Sequence, residues 1–473
     1  RASMPILLIK IRTQYGLRRF AEIAIVIYLV VALGALTISD LRSALVMQFL
    51  AGMASAPLSS LAFMYMLQPL SPKWKMRLGL PVVMATVALG PSVARVISPA
   101  LMADSGWTAL HTMTLGMAAV SLGLVYWLPL TSPPRQKVIA GLDLVSWLLI
   151  AIGFGGLTAV FTMGAIYWWT EIPWLGWTLA ASIAALTLAA MIELNRKAPL
   201  LDVRWLASPA ILHLTVTLLV FRLILSEQSS GAPRMFQVLG VTQDQLVTIF
   251  AVISAGTVLG ALALIPFMTP KRVPLFHVIA LALVAVGAWL DSHSTIDTRP
   301  AQMMLSQGMI AFAGTLFLAP AMMQGLMSAL ARGPNYILSF IIVFLSTQSL
   351  GGVMGSGLFL TFINHRQALH LQLMREELTT ADPVVMQAIG QRVAALTSQI
   401  VDPVARQAQA VAMIAQDATN QAYVMAYNDA YQLTALVAAF AFCVLVLHMF
   451  RDWLAARLSP AAPAPATDPS NPA

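Results

Sequence analysis

The sequence predicts an all-α protein that crosses a membrane many times, and three observations lead to that fold class. First, 59% of the 473 residues are hydrophobic and only 10% are charged, whereas soluble chains have about 25% charged residues. Second, apolar segments long enough to cross a bilayer as helices follow one another with short polar breaks. Third, Lys and Arg gather in alternate breaks, as the positive-inside rule expects of a multi-pass protein.

Twelve apolar segments are predicted to cross the membrane as helices. A helix rises about 1.5 Å per residue, so about 20 residues cross the hydrocarbon core of a bilayer. The predicted spans are residues 20–38, 43–67, 79–103, 108–130, 143–163, 173–192, 209–233, 246–268, 275–290, 301–329, 335–363 and 430–450. These spans account for most of the chain.

The distribution of Lys and Arg orients these spans. One set of loops holds most of the basic residues, and the intervening short loops hold Arg42, Arg234 and Arg299. The basic set consists of Lys10, Arg12, Arg18, Arg19, Lys73, Lys75, Arg77, Arg135, Lys137, Arg196, Lys197, Arg204, Lys271, Arg272, Arg332, Arg451 and Arg457. Because loops rich in Lys and Arg stay in the cytoplasm, this set is assigned there. The net charge of +8 forms no basic face, so no nucleic-acid partner is predicted.

A Gly-Pro pair lies in the middle of the span 79–103. Leu89-Gly90-Pro91 is followed by Ala94-Arg95 and, at the end of the span, by Asp104-Ser105-Gly106-Trp107. Proline removes a helix hydrogen bond and glycine lets another backbone approach, and membrane-spanning helices tolerate both. This helix is therefore predicted to bend at Gly90 and Pro91 and to pack closely there.

This pattern resembles the fifth-helix antiporter motif of the major facilitator superfamily, in its fourteen-helix drug:proton antiporter branch (the EmrB/QacA type). Ala94 and Arg95 stand where that motif ends in two glycines. The segment from Thr13 to Arg19 resembles the loop between the second and third helices of that family, and its Gly16, Arg18 and Arg19 match the motif. Counted from this loop, the span 79–103 is the fifth helix. The resemblance therefore implies that one or two helices precede the first residue of this sequence.

The resemblance also implies a major facilitator fold with two pseudo-symmetric helical bundles and a central extra helix pair. The expected parts are an N-terminal bundle (1–130), the central pair with its linkers (131–206), a C-terminal bundle (207–363), a long extracytoplasmic loop (364–429), a last transmembrane helix (430–457) and a disordered tail (458–473). In the long loop, Asp382-Pro383 and Asp402-Pro403 predict helix starts. The residues between them that recur at helical spacing predict one amphipathic helix; they are Val384, Val385, Ile389, Val393, Leu396 and Ile400.

Three charged residues lie clearly inside the predicted spans: Arg95, Arg222 and Glu227. Charged side chains at membrane depth are rare and usually functional. Glu227 is predicted to bind the transported proton, with Arg222 five residues before it on the same helix; the alternative is a static ion pair between the two. For Arg95 three roles stay open: neutralising an anionic substrate, pairing with an earlier helix, or reaching the outer interface.

Two amides complete the predicted substrate and proton site. Gln48 stands where the resemblance expects the arginine associated with proton coupling, so an amide replaces that cation here. Gln228 follows Glu227 and either lines a polar cavity or satisfies the backbone of a kinked helix. A further pattern is a face of small residues, which predicts close helix packing; it consists of Gly351, Gly352, Gly355 and Gly357.

These features predict a proton-coupled secondary transporter of the cell inner membrane that exports amphipathic small molecules, such as drugs, aromatic acids or fatty acids, by alternating access. Arginine in its cavity favours anionic or neutral substrates. No cofactor and no metal site is predicted, and no set of nucleophile, base or metal ligands suggests an enzyme. The predicted partners are the lipid bilayer, the substrate and protons and, by resemblance, a periplasmic adaptor protein and an outer-membrane channel. The alternatives are an importer and a non-transporting membrane scaffold or sensor of the same fold.

Overall fold

The described part of the chain is built from helices. A computed structural model describes residues 2–67, 69–128, 137–169, 171–197, 199–377 and 382–458. Within those ranges there is no strand, and 11 helices are long and apolar enough to cross a membrane. The predicted all-α polytopic class is confirmed. Arg135 of the predicted cytoplasmic set and nearly all of the predicted disordered tail, residues 459–473, lie outside the described residues.

The first group of helices occupies the chain up to Trp127. Its helices are Met4–Tyr15, Leu17–Ala35, Leu41–Leu67 and Leu80–Trp127, the last entered through Pro72–Trp74 and a π-helical turn, Lys75–Gly79. Gly106 has φ 55° and ψ −142°, and it divides the longest helix into two membrane spans, Lys75–Ala103 and Ser105–Trp127. Gly16, at φ 84°, separates the first two helices in a conformation that favours glycine.

One predicted span differs from the others. The span 20–38 is the helix Leu17–Ala35, but this helix is not among the 11 membrane candidates. Its first two turns contain Arg18, Arg19 and Glu22. Charged residues raise the free energy of inserting a helix into a bilayer, and these three charges set this helix apart from the 11 candidates.

The second part of the chain contains the paired helices and the C-terminal group. The paired helices are Gly141–Tyr167 and Pro173–Leu194. The C-terminal group consists of Val203–Leu206, Pro209–Ile224, the π-helical turn Glu227–Gly231, Ala232–Val238, Asp244–Leu246, Val247–Leu264, Pro270–Arg272, Val273–Asp291, Pro300–Met303, Met304–Arg332, Pro334–Glu377, Pro383–Ala395 and Pro403–Leu458. Of these, Pro209–Ile224, the π-helical turn and Ala232–Val238 together form one membrane span, Pro209–Val238.

Two contacts hold the groups together. The helix Leu80–Trp127 packs along Val247–Leu264, which joins the first group to the C-terminal group. The paired helices pack against Pro334–Glu377 through Gly141–Tyr167. The core of the C-terminal group is aromatic and aliphatic, with the rings of Phe221 and Phe317 stacked 3.7 Å apart between centroids. The predicted division of the chain into bundles, linker and loop stays a prediction.

The predicted face of small residues on Pro334–Glu377 is confirmed. A Cβ at Gly351 would lie 3.0 Å from Leu219, and a Cβ at Gly352 would lie 3.1 Å from the guanidinium of Arg222. A Cβ at Gly355 would overlap the hydroxyl of Ser226. A larger residue at Gly355 would collide, and at Gly351 and Gly352 it would crowd the neighbouring side chains, so these three glycines let the span Pro209–Val238 approach closely. Gly357 instead faces Phe161 of Gly141–Tyr167.

Helices fill most of the predicted long loop 364–429. The helix Pro334–Glu377 continues well past the predicted end of its span, and the last helix begins at Pro403. Asp382 and Asp402 each accept a hydrogen bond from the backbone N–H two residues later, at 2.8 Å and 3.1 Å, so both predicted helix starts are confirmed.

The predicted amphipathic helix is the helix Pro383–Ala395 and its following turn, packed against the last helix. Five of the six predicted apolar positions are half-buried. Val384 is 71% exposed, so the prediction that it lies on the buried face of this helix was wrong. It lies in the first turn of the helix.

Candidate functional site

A cavity of about 870 Å³ lies between the two groups of helices. Its walls come from Leu80–Trp127 on one side and from Pro209–Val238, Val247–Leu264, Met304–Arg332 and Pro334–Glu377 on the other. Met4–Tyr15, Leu41–Leu67 and Gly141–Tyr167 contribute further residues. Gly90, half-way along its span, lines the cavity, which therefore lies near the middle of the membrane. The volume is in the range of about 300–1,000 Å³ that holds drug-sized ligands.

The wall of this cavity is largely apolar, with hydroxyl and amide side chains and three arginines among its residues. Its aromatic members include Phe161, Phe250 and Phe344, and its cations are Arg95, Arg222 and Arg234. No Asp or Glu is among the described lining residues. The described structure also contains no ion pair between these arginines and a carboxylate. The cavity therefore carries three formal positive charges that await an anionic partner.

Local packing holds two of the arginines. The guanidinium of Arg95 lies over the ring of Phe250, 4.8 Å from its centroid, a cation–π contact. The side chain of Arg222 lies along Gly351 and Gly352 of the neighbouring helix, which leave room for it. Arg95 and Arg234 are close enough to influence each other electrostatically. Two like charges near one another are unfavourable, so an anion between them would lower the energy of both.

Three other predicted residues line this cavity. Gln228 and Pro91 line it beside Gly90, as does Ser229 next to Gln228. The prediction of close packing at Gly90 was wrong for this structure, because a Cβ there would meet no described atom within 4 Å. The helix is also continuous through Pro91. Gly90 and Pro91 thus form part of the cavity wall, where the missing side chain of the glycine leaves the cavity more room.

Four predicted residues lie away from the cavity. Gln48 is exposed and does not line it. Gly16 forms the turn between the first two helices, and Arg18 and Arg19 follow on the exposed face of the second. The Nε of Arg18 donates to Glu22 at 3.0 Å. The cavity therefore gathers only part of the predicted set.

Glu227 is buried behind the cavity wall and has no exposed surface. It begins the π-helical turn Glu227–Gly231, and π-helical turns recur at functional sites. Its Oε1 accepts a hydrogen bond of 3.5 Å from the Nε2 of Gln307. The described structure contains no ion pair between Glu227 and Arg222, so the alternative of a static pair was wrong. The two residues are five positions apart on one helix, so their side chains point to different sides of it.

Four residues of this site were not predicted from the sequence. Asp291 was outside the predicted span 275–290 by one residue, yet it is 2% exposed and accepts a hydrogen bond of 2.7 Å from the Nε2 of Gln307. Ser306 also donates to Asp291. Arg234 was wrongly placed in an outer loop, because the helix continues through the π-helical turn to Val238. The polar pair Ser306-Gln307 inside an apolar span was the sequence feature that could have indicated this part of the site.

A second buried cluster of charges lies at the ends of the paired helices. Asp143 is fully buried and pairs with Lys10 at 2.7 Å and with Arg196 at 2.6 Å. Arg196 also pairs with Glu193 at 2.8 Å, and Glu193 accepts from the backbone N–H of Leu200. Burial by itself would lower the pKa of Arg196, but the hydrogen bonds to Asp143 and Glu193 outweigh it and raise that pKa. This cluster ties the helix Met4–Tyr15 to the paired helices.

Comparison with known proteins identifies the fold. No protein-family model and no curated protein sequence matches this chain. A solved structure of the POT family transporter PepTSo is similar over 94% of this chain and 87% of that chain, with a TM-score of 0.51 and 15% sequence identity. The fold is that of the major facilitator superfamily. A solved structure of a bacterial homolog to human lysosomal transporter Spinster, in an inward-facing and occupied conformation, matches over 97% of this chain and 91% of that chain. Its TM-score is 0.40 and its sequence identity is 16%.

The major facilitator fold agrees with the predicted fold class. In transporter folds built from repeats, the substrate site lies near the middle of the membrane at the interface of the repeats. The arginine-lined cavity lies near the middle of the membrane, between the two groups of helices. The fourteen-helix antiporter branch, which the sequence motifs indicate, stays a prediction.

Proposed function

We propose that this chain is a secondary transporter that exports amphipathic organic anions through the membrane in exchange for protons, by alternating access. One observation carries the proposal: Arg95, Arg222 and Arg234 line a mid-membrane cavity in which no described residue is acidic. The major facilitator fold supports a transporter. The motif around Gly90 and Pro91, which borders the cavity, supports export by antiport.

The charge and the walls of the cavity define the substrate class. A guanidinium binds carboxylate, sulfonate or phosphate groups through charge-assisted hydrogen bonds, each contributing about 1.5–3 kcal/mol. The rings of Phe161, Phe250 and Phe344 offer apolar surface to the rest of the molecule. A substrate with one acidic group and an aromatic or aliphatic body fits both features. A cation of the same shape would meet three like charges and is expected to be rejected.

Proton coupling is proposed at Glu227. Its carboxyl group is fully buried, and the residue next to it in sequence, Gln228, lines the cavity. An ionisable side chain buried at membrane depth is a natural candidate for a proton relay. The chain carries no nucleotide-binding motif at Walker spacing, which favours an ion gradient as the source of energy.

The location and the partners follow from the resemblance. We propose the inner membrane as the location, and a periplasmic adaptor protein and an outer-membrane channel as partners. The outer ends of Pro334–Glu377 and Pro403–Leu458, with Pro383–Ala395 between them, would offer the docking surface. An importer and a non-transporting scaffold or sensor remain the alternatives, and flux measurements separate them.

The experiment uses the full chain in proteoliposomes that contain a pH-sensitive dye. The probes are naphthalenesulfonate and naphthyltrimethylammonium, which have the same ring system and opposite charges. We expect naphthalenesulfonate, and not the cation, to move protons in the opposite direction. Protons moving in the same direction as the anion would support the importer, and silence with every anion tested would support the scaffold.

Matched variants locate the activity in the cavity. Arg222→Gln removes one cavity cation and is expected to lower the affinity for naphthalenesulfonate about tenfold, the effect of losing one charge-assisted hydrogen bond. Arg332→Gln removes an exposed arginine outside the cavity and is expected to leave the affinity unchanged. Equal effects of both variants would contradict the assignment of the cavity.

A further inference from the structure

We propose that Asp291 and Glu227 form one proton-binding site, bridged by Gln307 and connected to the substrate cavity through Gln228. The inference rests on the proposed function and deepens it, because it gives the coupling proton two carboxyl groups instead of one. It also assigns a role to Asp291, which lies outside the cavity at the end of the helix Val273–Asp291.

The two carboxyl groups share a single donor. The Nε2 of Gln307 lies 2.7 Å from Oδ2 of Asp291 and 3.5 Å from Oε1 of Glu227. The three residues come from three different helices and are 0–2% exposed. A small motion of one amide is therefore sufficient to change the contacts of both carboxyl groups.

No cation of the described structure balances this pair. The groups that influence the two carboxyls electrostatically or by hydrogen bonding are each other, Gln307, Ser306 and Tyr431. Tyr431 and its neighbour Tyr427 are neutral hydroxyl groups on the last helix, and Arg234 acts electrostatically on Tyr427. Two neighbouring carboxylates that were both ionised would repel one another in a region of low dielectric constant. One proton held by the pair removes that repulsion.

Two buried acceptor atoms point to the same conclusion. Oε2 of Glu227 and Oε1 of Gln307 have no hydrogen-bond partner among the described residues. The amide oxygen can only accept, and so can Oε2 of Glu227 while its carboxyl group is ionised; an unsatisfied buried acceptor raises the energy of the folded state by about 1–3 kcal/mol. A proton on the carboxyl pair supplies the missing donor.

A hydrogen bond connects the pair to the cavity. Gln228 lines the cavity and donates from its Nε2 to the backbone oxygen of Gln307 at 3.0 Å. An anion that recruits the amide of Gln228 would release this contact and alter the position of Gln307 between the carboxyl groups. Substrate binding and proton binding would then be linked through one pair of amides.

The first test separates coupling from transport. Wild-type full chain and the variants Asp291→Asn, Asp291→Glu and Asp297→Asn are compared in proteoliposomes with naphthalenesulfonate. We expect Asp291→Asn to retain exchange of the anion at equal pH on both sides and to lose accumulation driven by a pH gradient. Asp291→Glu should restore accumulation, and Asp297→Asn, an exposed carboxylate of the same outer loop, should behave as wild type. Wild-type accumulation by Asp291→Asn would overturn the inference.

The second test does not depend on transport. Infrared spectra of the purified full chain near neutral pH should contain a carbonyl band of a protonated carboxylic acid. Both Glu227→Gln and Asp291→Asn are expected to shift or abolish that band, whereas Asp297→Asn leaves it in place. A band that Asp291→Asn does not alter would refute a shared proton. If wild type moves no anion, the proposed function fails, and the spectra still decide whether the carboxyl pair holds a proton.

Discussion

Asp143→Asn alters few atoms and is expected to lower the stability of the folded state strongly. Asp143 is fully buried and pairs with Lys10 at 2.7 Å and with Arg196 at 2.6 Å. Its second oxygen accepts from the backbone N–H of Ala140 at 2.8 Å. Asparagine keeps nearly the same shape and can still accept from Ala140 through its carbonyl oxygen. The variant therefore removes one negative charge and leaves two mostly buried cations, of which Arg196 keeps Glu193 as a partner.

The magnitude follows from the geometry. At 2.7 Å and an effective dielectric constant of about 20, one ion pair has a gross Coulomb energy of about 6 kcal/mol. Desolvation of the charges offsets much of this energy. Removing one partner of a buried pair costs about 3–5 kcal/mol, because the remaining charge stays buried. Asp143 has two partners, so we expect the upper end of that range.

Thermal unfolding of the purified full chain in detergent measures the effect. The fraction that stays monodisperse in size-exclusion chromatography after heating should reach its midpoint several degrees lower for Asp143→Asn. Asp452→Asn is the matched control, since Asp452 pairs with Arg451 at 2.8 Å but is 57% exposed, and surface ion pairs contribute little. A midpoint for Asp143→Asn within one degree of the control would refute the reasoning.

Three further changes test other parts of the structure. Gly352→Leu places side-chain atoms where the guanidinium of Arg222 lies, because that group is 3.1 Å from a Cβ built at Gly352. Naphthalenesulfonate should therefore bind about tenfold more weakly, the effect of losing one charge-assisted hydrogen bond, and equilibrium dialysis measures this affinity. Trp169→Phe removes the indole N–H that donates to Thr361 at 2.8 Å, which should cost about 1 kcal/mol and lower the unfolding midpoint slightly. Asp382→Ala removes the N-cap of Pro383–Ala395, which should cost about 1 kcal/mol and speed amide hydrogen exchange in that helix.

The sequence was sufficient for the fold class and for part of the cavity. Hydropathy and the alternation of basic loops identify spanning helices because the bilayer imposes length and composition on each of them. Arg95 and Arg222 were visible because a charge inside an apolar run is conspicuous. Gln228 was visible because it follows Glu227.

The remaining residues depend on features that hydropathy does not record. A window of hydropathy gives the depth of a residue and not the neighbour that it faces, so the contact between Gln307 and Asp291 was not predictable. Asp291 is the last residue of its helix, where a carboxylate usually reaches solvent. Arg234 follows Gly231 and Pro233, which normally mark the end of a helix.

The π-helical turn at Glu227–Gly231 sets the angular phase of the helix beyond it. Arg222 and Arg234 are twelve positions apart, and at about 100° per residue a regular helix would direct them about 120° from one another. The turn accommodates one extra residue, which reduces the angle to about 20° and allows both arginines to line the cavity. Deleting Ser229 would restore a regular helix with the arginines eleven positions apart, again about 20° from one another, whereas twelve positions in a regular helix would separate them by about 120°. The number of cavity cations therefore depends on the π-helical form of this turn as well as on the presence of the arginines.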